Sequence, residues 1–150
     1  MGYLAALLIT LGLVQTGTSQ PSLSQRRETL QPQVLVTTLS PDELAKQSSS
    51  GALEHDTEVA RHEPLTIVLT IADCEKGETG ACNASADVVA RKPDGTVHTE
   101  LKNVSLNNRR ATASLKLNAG DPTGLYKVVA TVRDLNARRF GTAERIFAVK

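Results

Sequence analysis

The chain has 150 residues and a formal net charge of +1, and aromatic side chains make up only 3% of it. This length suits one domain, or one domain behind a processed leader. A near-neutral chain with few aromatic side chains lacks the basic, stacking surface that nucleic acid requires, which argues against such a partner. The charge is uneven, because residues 20–90 carry eleven acidic against five basic side chains and residues 91–150 carry five against twelve. This asymmetry indicates either steering of a charged partner or neighbouring strands that complement one another.

The N-terminus has the pattern of a secretory signal peptide. An apolar run from Leu4 to Val14 is followed by small and polar residues, with Gly17 and Ser19 in the arrangement that precedes cleavage. We predict a signal peptide over 1–19 and a periplasmic or secreted protein. A membrane span needs about 20 apolar residues, so none is expected after processing. The residues before the run include no Lys or Arg, and a buried N-terminal helix is the alternative interpretation.

Cys74 and Cys82 are the two cysteines of the chain. In an exported protein a disulfide persists and an even count favours pairing, so we predict a bridge between them. The loop-entropy model gives about 2–3 kcal/mol of stabilisation for so short a loop. The alternative, a metal-binding pair, lacks a second cysteine or histidine pair at zinc spacing.

Residues 20–57 read as a flexible arm that contains a short strand and a short helix. The β-prone run Val34–Leu39 predicts the strand. Ser40 and Pro41 predict a helix start, with serine as the cap and proline at the first helical position. The polar loop over 48–57 is a candidate region for movement or for a partner.

From residue 58 onward the sequence alternates between strands and turns. The Pro93, Asp94 and Gly95 run is a turn signal. The apolar positions of 97–106 change from odd to even, which predicts a β-bulge. No helical pattern intervenes, so we predict an antiparallel sandwich. Its apolar stripes lie in 65–71, 84–90, 97–106, 111–117 and 126–132 and in the last strand, which ends with Phe147, Ala148 and Val149.

The run from Asp121 to Val128 resembles the D-x-x-G-x-Y-x-V entry to the penultimate strand of immunoglobulin-like domains, including bacterial macroglobulin-type modules. Together with the two cysteines, the 92–95 turn and the final strand, the sequence over 59–150 resembles short exported bacterial proteins with one such sandwich. The resemblance implies an all-β, immunoglobulin-like antiparallel sandwich of about seven strands over 58–150. It also implies a structural corner of Asp121, Gly124 and Tyr126, in which the tyrosine packs inward and its hydroxyl bonds nearby backbone.

Two features depart from the immunoglobulin superfamily itself. The hallmark tryptophan is absent, and Cys74 and Cys82 do not have the spacing of the usual inter-sheet bridge. The resemblance carries over no activity, so it supplies no catalytic residue.

The strands on either side of the cysteines differ in periodicity. Apolar positions are odd in 65–71 and even in 84–90, whereas a simple hairpin closed by the bridge would pair odd with odd. Either a bulge intervenes or the two strands lie in opposite sheets. We favour opposite sheets, the arrangement of the second and third strands of an immunoglobulin-like domain.

The polar residues suggest little catalytic chemistry. His55 and His62 lie among acidic residues, but their spacing matches no metal-binding helix motif and favours solvated loop positions. The serines of 48–50 have no nucleophile-elbow context. We therefore predict no enzyme, no metal site and no cofactor. The paired arginines at 109–110 and 138–139 fall in predicted turns, where they supply solubilising charge or, as the alternative, a patch for an acidic surface. The sequons at Asn83 and Asn103 would matter in a eukaryotic secretory pathway.

These observations favour an exported, non-catalytic interaction module that recognises a protein or a cell-surface polymer. One alternative is an assembly or pilus-like subunit that uses Val34–Leu39 to extend a neighbour's sheet. A metal-dependent hydrolase is a further alternative.

Overall fold

A computed structural model describes residues 29–47 and 56–150. The predicted signal peptide, the first residues of the arm, the serines of 48–50 and His55 lie outside the described residues. The described elements are β1 (Pro32–Thr37), α1 (Pro41–Gln47), β2 (Glu58–Val59), β3 (Pro64–Ile71), β4 (Ala84–Arg91), β5 (Val97–Leu106), β6 (Arg110–Lys116), β7 (Gly124–Asp134) and β8 (Arg139–Val149).

The strands form two sheets that pack face to face. One sheet has the order β1-β3-β6, and the other has the order β2-β8-β7-β4-β5. Neighbouring strands pair antiparallel, except that β2 runs parallel to β8. The chain is therefore an immunoglobulin-like antiparallel β-sandwich, as the sequence predicts, with the two-residue β2 as an additional short strand.

Alternation along the strands fills the space between the sheets. On β7 every even position from Tyr126 to Val132 is fully buried, and on β8 Phe147 and Val149 face the same interior. The Tyr126 and Phe147 rings stack with centroids 5.7 Å apart. Aromatic stacking of this kind adds to the burial of apolar area, and these two rings are the largest fully buried side chains among the described residues.

Two finer predictions about the strands are confirmed. β3 and β4 lie in different sheets, which explains their opposite periodicities. In β5, Ala86 pairs with Val104 and Val88 with Leu101. Two residues of β5 therefore oppose one of β4, which defines the predicted bulge. Asn103 in this bulge has a left-handed backbone, with φ of 55°.

β1 belongs to the sandwich and is not an appendage of an arm. The strand covers Pro32–Thr37, two residues earlier than the predicted 34–39, and pairs along its length with β3. Leu30, Val34 and Val36 join the main core, so the sandwich starts before the predicted boundary at residue 58. This region is polar and contains proline, so its composition does not predict a core strand. Its three apolar side chains become buried only because the strand pairs with β3.

The α1 helix begins as the sequence predicts. The Glu43 amide donates to Ser40 Oγ at 3.3 Å, and the Ser40 amide donates to the Glu43 carboxylate at 2.8 Å. This reciprocal pair is a capping box, which satisfies amides that the first turn leaves free. The Ser40 amide and hydroxyl hold the pKa of Glu43 below its usual range. Leu44 is the buried residue of the helix.

Acidic residues of the first half of the chain form ion pairs with basic residues of the second half. Asp87 pairs with Arg133 at 2.5 Å, Asp73 with Arg139 at 3.4 Å, and Glu58 with Lys150. In each pair an acid of the first half meets a base of the second half across neighbouring strands or loops. Among the described residues, no helix is long and apolar enough to cross a membrane.

Candidate binding surface

The outer surface of the five-stranded sheet carries the large apolar side chains that the fold leaves exposed. Leu125 and Leu135 occupy odd positions of β7 and the residue that follows it, and Phe140 and Ile146 occupy even positions of β8. Because buried residues take the alternate positions, these side chains point away from the core. Among the described residues, the large apolar side chains classed as exposed are Val97, Leu125, Leu135, Phe140 and Ile146. We call this surface the outer face.

A groove of about 470 Å³ lies at one end of the outer face. Leu125 and Ile146 line it together with Pro93 of the predicted turn. Lys127 and Glu144, which bond to each other at 3.3 Å, also line it. Arg91 and Lys92 line it as well, so this corner groove offers apolar contact area beside three cations and one anion. Such a combination suits recognition by shape and by a few polar contacts.

A second groove of about 500 Å³ lies at the other end of the same face. Leu135 and Phe140 line it, and Phe140 is 67% exposed. Arg133 and Arg138 flank these apolar side chains. Phe140 stands directly opposite Arg133 in the β7–β8 ladder, so apolar and cationic side chains alternate at this hairpin end. We call it the hairpin groove.

Asp121, a predicted corner residue, joins three chain segments beneath the corner groove. Its carboxylate accepts from the Asn118 amide at 2.7 Å, from Lys92 Nζ at 2.9 Å and from His98 Nε2 at 3.0 Å. The Asn118 amide first, then Lys92 and His98, hold the pKa of Asp121 well below its usual range. The same carboxylate raises the pKa of Lys92. Asp121 therefore fastens the 92–95 turn and β5 to the corner.

Tyr126 and Gly124 complete the corner. The Tyr126 ring is fully buried, and its hydroxyl donates to the Pro122 carbonyl at 2.9 Å. Burial first, and then Asp121, raise the pKa of Tyr126. Gly124 has φ of +130° and lies against Pro93. The structure thus brings together the corner and the turn, which the sequence presents as separate motifs.

Sequence reasoning assigned no role to His98. Ala90 pairs with Thr99 and Arg91 with Val97, so His98 is the extra residue of a second bulge in β5. Its imidazole is 8% exposed and lies 6.1 Å from the Tyr126 ring. The change from odd to even apolar positions lies later in β5 and indicates the bulge that contains Asn103. No sequence signal indicates the bulge at His98.

His98 also connects a hydroxyl to the corner carboxylate. Its Nδ1 lies 2.7 Å from Thr99 Oγ1, while its Nε2 contacts Asp121. A hydroxyl, an imidazole and a carboxylate in series can activate a nucleophile when the hydroxyl faces substrate. Here Thr99 stands opposite the buried Ala90 on the inner side of the sheet, and the carboxylate is shared with Lys92. The arrangement holds the corner together and does not open on either groove.

The predicted disulfide is present at the opposite end of the sandwich, with the Cα atoms of Cys74 and Cys82 5.9 Å apart. Asp134 anchors the bridged loop, because its carboxylate accepts the Glu75 amide at 2.8 Å and the Arg139 guanidinium at 3.1 Å. Burial alone would raise the pKa of Asp134, but the bonds from Glu75, Ala137 and Arg139 outweigh it and the pKa is lowered. Sequence reasoning missed Asp134, which looks like an ordinary residue at a strand end.

The acidic residues around His62 serve structural roles. The Asp56 carboxylate accepts the Thr38 amide at 2.6 Å, Glu63 accepts the Ala60 amide at 2.9 Å, and Glu58 pairs with Lys150. His62 itself is exposed. Over 29–47 and 56–150, no three His, Cys, Asp or Glu side chains form a group that could hold a metal ion.

Comparison with known proteins identifies the fold and no family. No family model matches the chain, and no curated protein matches it. A superoxide reductase (neelaredoxin) from Ignicoccus hospitalis aligns over 87% of this chain and 89% of its own, at 10% identity and a TM-score of 0.50. At this identity the likeness shows a shared β-sandwich fold and says nothing about activity.

Two further solved structures align at lower scores. An immunoglobulin-like protein from Pseudomonas aeruginosa covers 80% of this chain and 92% of its own, at 15% identity and a TM-score of 0.40. A Niemann-Pick type C2 protein from the Japanese carpenter ant covers 79% and 92%, at 11% identity and a TM-score of 0.36.

Proposed function

We propose that this chain is an exported, non-catalytic binding module that recognises a protein or a cell-surface polymer through the outer face. The observation that carries the proposal is the segregation of exposed apolar side chains. Among the described residues, the large apolar side chains classed as exposed all lie on the outer surface of one sheet. Apolar surface bordered by charged side chains is characteristic of interaction sites, and each end of this face carries such a patch.

The layout of the outer face favours an extended ligand surface. Leu125 lines the corner groove and Leu135 lines the hairpin groove, and both follow the course of β7. At about 3.3 Å per residue the two leucines lie roughly 33 Å apart. A partner that fills both grooves therefore has to be elongated, or has to present a broad surface. A single small molecule would occupy one groove at most.

Export of the module is supported by the disulfide and by the predicted signal peptide. A disulfide persists in the periplasm or outside the cell, where no thiol pool reduces it. The short exported bacterial proteins that the sequence resembles imply the same location. Intact mass of protein from the envelope of the native host tests this, since processing before Gln20 is expected. Recovery of Met1-containing protein from the cytosol would contradict export.

The binding proposal is tested by capture from native envelopes with paired variants of the outer face. Leu125→Asp with Ile146→Asp places charge in the corner groove without touching the core, because both side chains are exposed. Ala72→Asp with Ala119→Asp adds the same charge at exposed sites away from that groove. We expect wild type and the control variant, Ala72→Asp with Ala119→Asp, to retain one specific partner. The variant Leu125→Asp with Ile146→Asp should lose that partner. Equal retention by all three proteins would overturn the proposal.

The alternative of an assembly subunit requires the 34–39 segment to leave its own sheet. In the structure β1 is paired with β3 from Pro32 to Thr37, and its Val34 and Val36 side chains lie in the core. A donor strand needs an unoccupied segment. The outer face requires no such rearrangement, so we favour the binding module.

A further inference from the structure

The two sheets end in four edge strands, β1, β6, β2 and β5, and these edges differ in how they are protected. An edge with unpaired amides and carbonyls is a template for another strand. The free side of β1 is covered, because Val34 O accepts from Arg145 at 3.2 Å and Val36 O accepts from the Asp56 amide at 3.0 Å. β5 contains two bulges, and β2 has two residues.

The fourth edge, β6, is open along most of its length. The Ile71 amide donates to the Arg109 carbonyl at 3.1 Å, which fixes the phase of the β3–β6 ladder. In an antiparallel ladder alternate residues bond the neighbour, so Ala111, Ala113 and Leu115 face β3. The backbone groups of Thr112, Ser114 and Lys116 point to the free side. In the part of the chain that the structure describes, no residue pairs with them on that side.

Two cations mark the ends of this open edge. Arg110 begins the strand and Lys116 ends it, and among the described residues no ion pair involves either side chain. Arg110 Nε and Nη2 are buried without an acceptor, and a buried donor left unpaired is costly. The exposed residues between the two cations, Thr112 and Ser114, are small and uncharged. The edge therefore selects a partner strand by the charges that this strand places opposite Arg110 and Lys116.

We propose that β6 accepts an extended acidic segment of a partner protein as a fourth strand of the β1-β3-β6 sheet. The segment carries carboxylates six positions apart, about 20 Å at 3.3 Å per residue, one facing Arg110 and one facing Lys116. Its backbone bonds Thr112, Ser114 and Lys116. This site goes beyond the outer face, because it belongs to the other sheet.

A second copy of this chain fits the same edge poorly. A two-fold antiparallel pairing centred on Ala113 places Arg110 of one copy opposite Lys116 of the other, at both ends of the new ladder. Like charges directly opposite each other destabilise a strand pair. An acidic segment turns the same two positions into attractive contacts, which is why we commit to it.

The test measures binding of a peptide to the full chain. The probe is a labelled peptide, Glu-Thr-Val-Thr-Val-Thr-Glu, and its control has lysine at both ends. We expect the acidic probe to bind and the lysine probe to bind at least about tenfold more weakly, with a salt dependence typical of charge pairing. Amide hydrogen exchange should slow at Thr112, Ser114 and Lys116 when the probe is bound, and should not change along β5.

Two sets of variants separate the edge from the charges. Ser114→Pro removes an outward amide that β3 does not use, and proline is tolerated on the free side of an edge strand; Ser114→Ala is its control. Arg110→Glu with Lys116→Glu should reverse the preference, so that the lysine probe now binds better. Lys102→Glu, a charge change on the β5 edge, should leave both affinities unchanged. The reversal stays informative even if Ser114→Pro fails to fold.

Several outcomes would overturn the inference. These are protection of β5 amides, equal binding of both probes, or a preference that survives charge reversal. A wild-type dimer in sedimentation that Ser114→Pro abolishes would assign the edge to a second copy instead. Leu125→Asp with Ile146→Asp should leave probe binding intact, so failure of the outer-face proposal and failure of this one are distinguishable.

Discussion

The Pro93 ring lies directly against the backbone of Gly124, so that a Cβ built on Gly124 would stand 2.9 Å from Pro93 Cγ. This contact joins the turn between β4 and β5 to the entry of β7. Pro93 also lines the corner groove beside Leu125. The shape of one end of the outer face therefore depends on a glycine that allows the turn to approach the sheet.

Gly124→Ala should destabilise the protein by about 1–3 kcal/mol, because the new methyl group meets Pro93 and the φ of +130° is strained for any side chain. Gly120→Ala is the matched control, since no atom lies within 4 Å of a Cβ at that position. We expect the control to change stability by less than about 1 kcal/mol. Urea titration measures both. Equal midpoints for the two variants would show that the Pro93 contact is unimportant.

Tyr126 should be the most sensitive residue of the corner. Tyr126→Phe loses the bond to the Pro122 carbonyl, and the typical net value of one hydrogen bond predicts a loss of about 1 kcal/mol. Tyr126→Ala removes a large, fully buried ring from the core and should cost about 3–5 kcal/mol, as buried aromatic truncations do. Denaturant midpoints of the two variants test this. A wild-type midpoint for Tyr126→Ala would contradict the buried corner.

The contribution of Asp121 to the free energy of unfolding should depend on pH only in the acidic range, below about pH 4. Its pKa is lower in the folded protein than in the unfolded chain, where an aspartate titrates near 4. The charged carboxylate therefore stabilises the fold above about pH 4, and this contribution is lost as the pH falls further. Asp121→Asn should lower the urea midpoint at pH 7, and its difference from wild type should narrow from pH 4 downward. A difference between Asp121→Asn and wild type that stays constant below pH 4 would contradict the account.

Loss of the disulfide should weaken the fold without abolishing it. Cys74→Ser with Cys82→Ser opens a loop with a sequence separation of 8, so we expect a cost of about 1–3 kcal/mol. The Asp134 carboxylate and the Asn136 amide still hold the loop, through the Glu75 amide and carbonyl. Urea titration gives the cost. Thiol labelling of exported wild-type protein without reductant should find no free cysteine, and two reactive thiols would contradict the bridge in that compartment.

Much of the fold could be predicted because it depends on local patterns. The odd positions of 65–71 and the even positions of 126–132 are all apolar, and each stripe faces the core. The opposite periodicities of β3 and β4 placed these strands in different sheets. The capping box at Ser40 and Glu43 is likewise written in a few adjacent residues.

The candidate site could not be predicted in the same way, because it depends on contacts between distant residues. Nothing near Asp121 in the chain indicates that its carboxylate bonds Lys92 and His98. A strand pattern shows which side chains point away from the core. It does not show which of these side chains are covered by another element and which stay exposed. Val68 points away from the main core and is nevertheless buried, whereas Ile146 on the other sheet stays exposed.

Cross-linking in the native host tests most directly whether the outer face binds a partner. A photoactivatable amino acid at Ile146 lies in the corner groove, and the same group at Lys46 on α1 is the control at another exposed site. The account predicts one discrete cross-linked product from position 146 in the envelope fraction, and none from position 46. A product from position 46 with none from position 146 would contradict it.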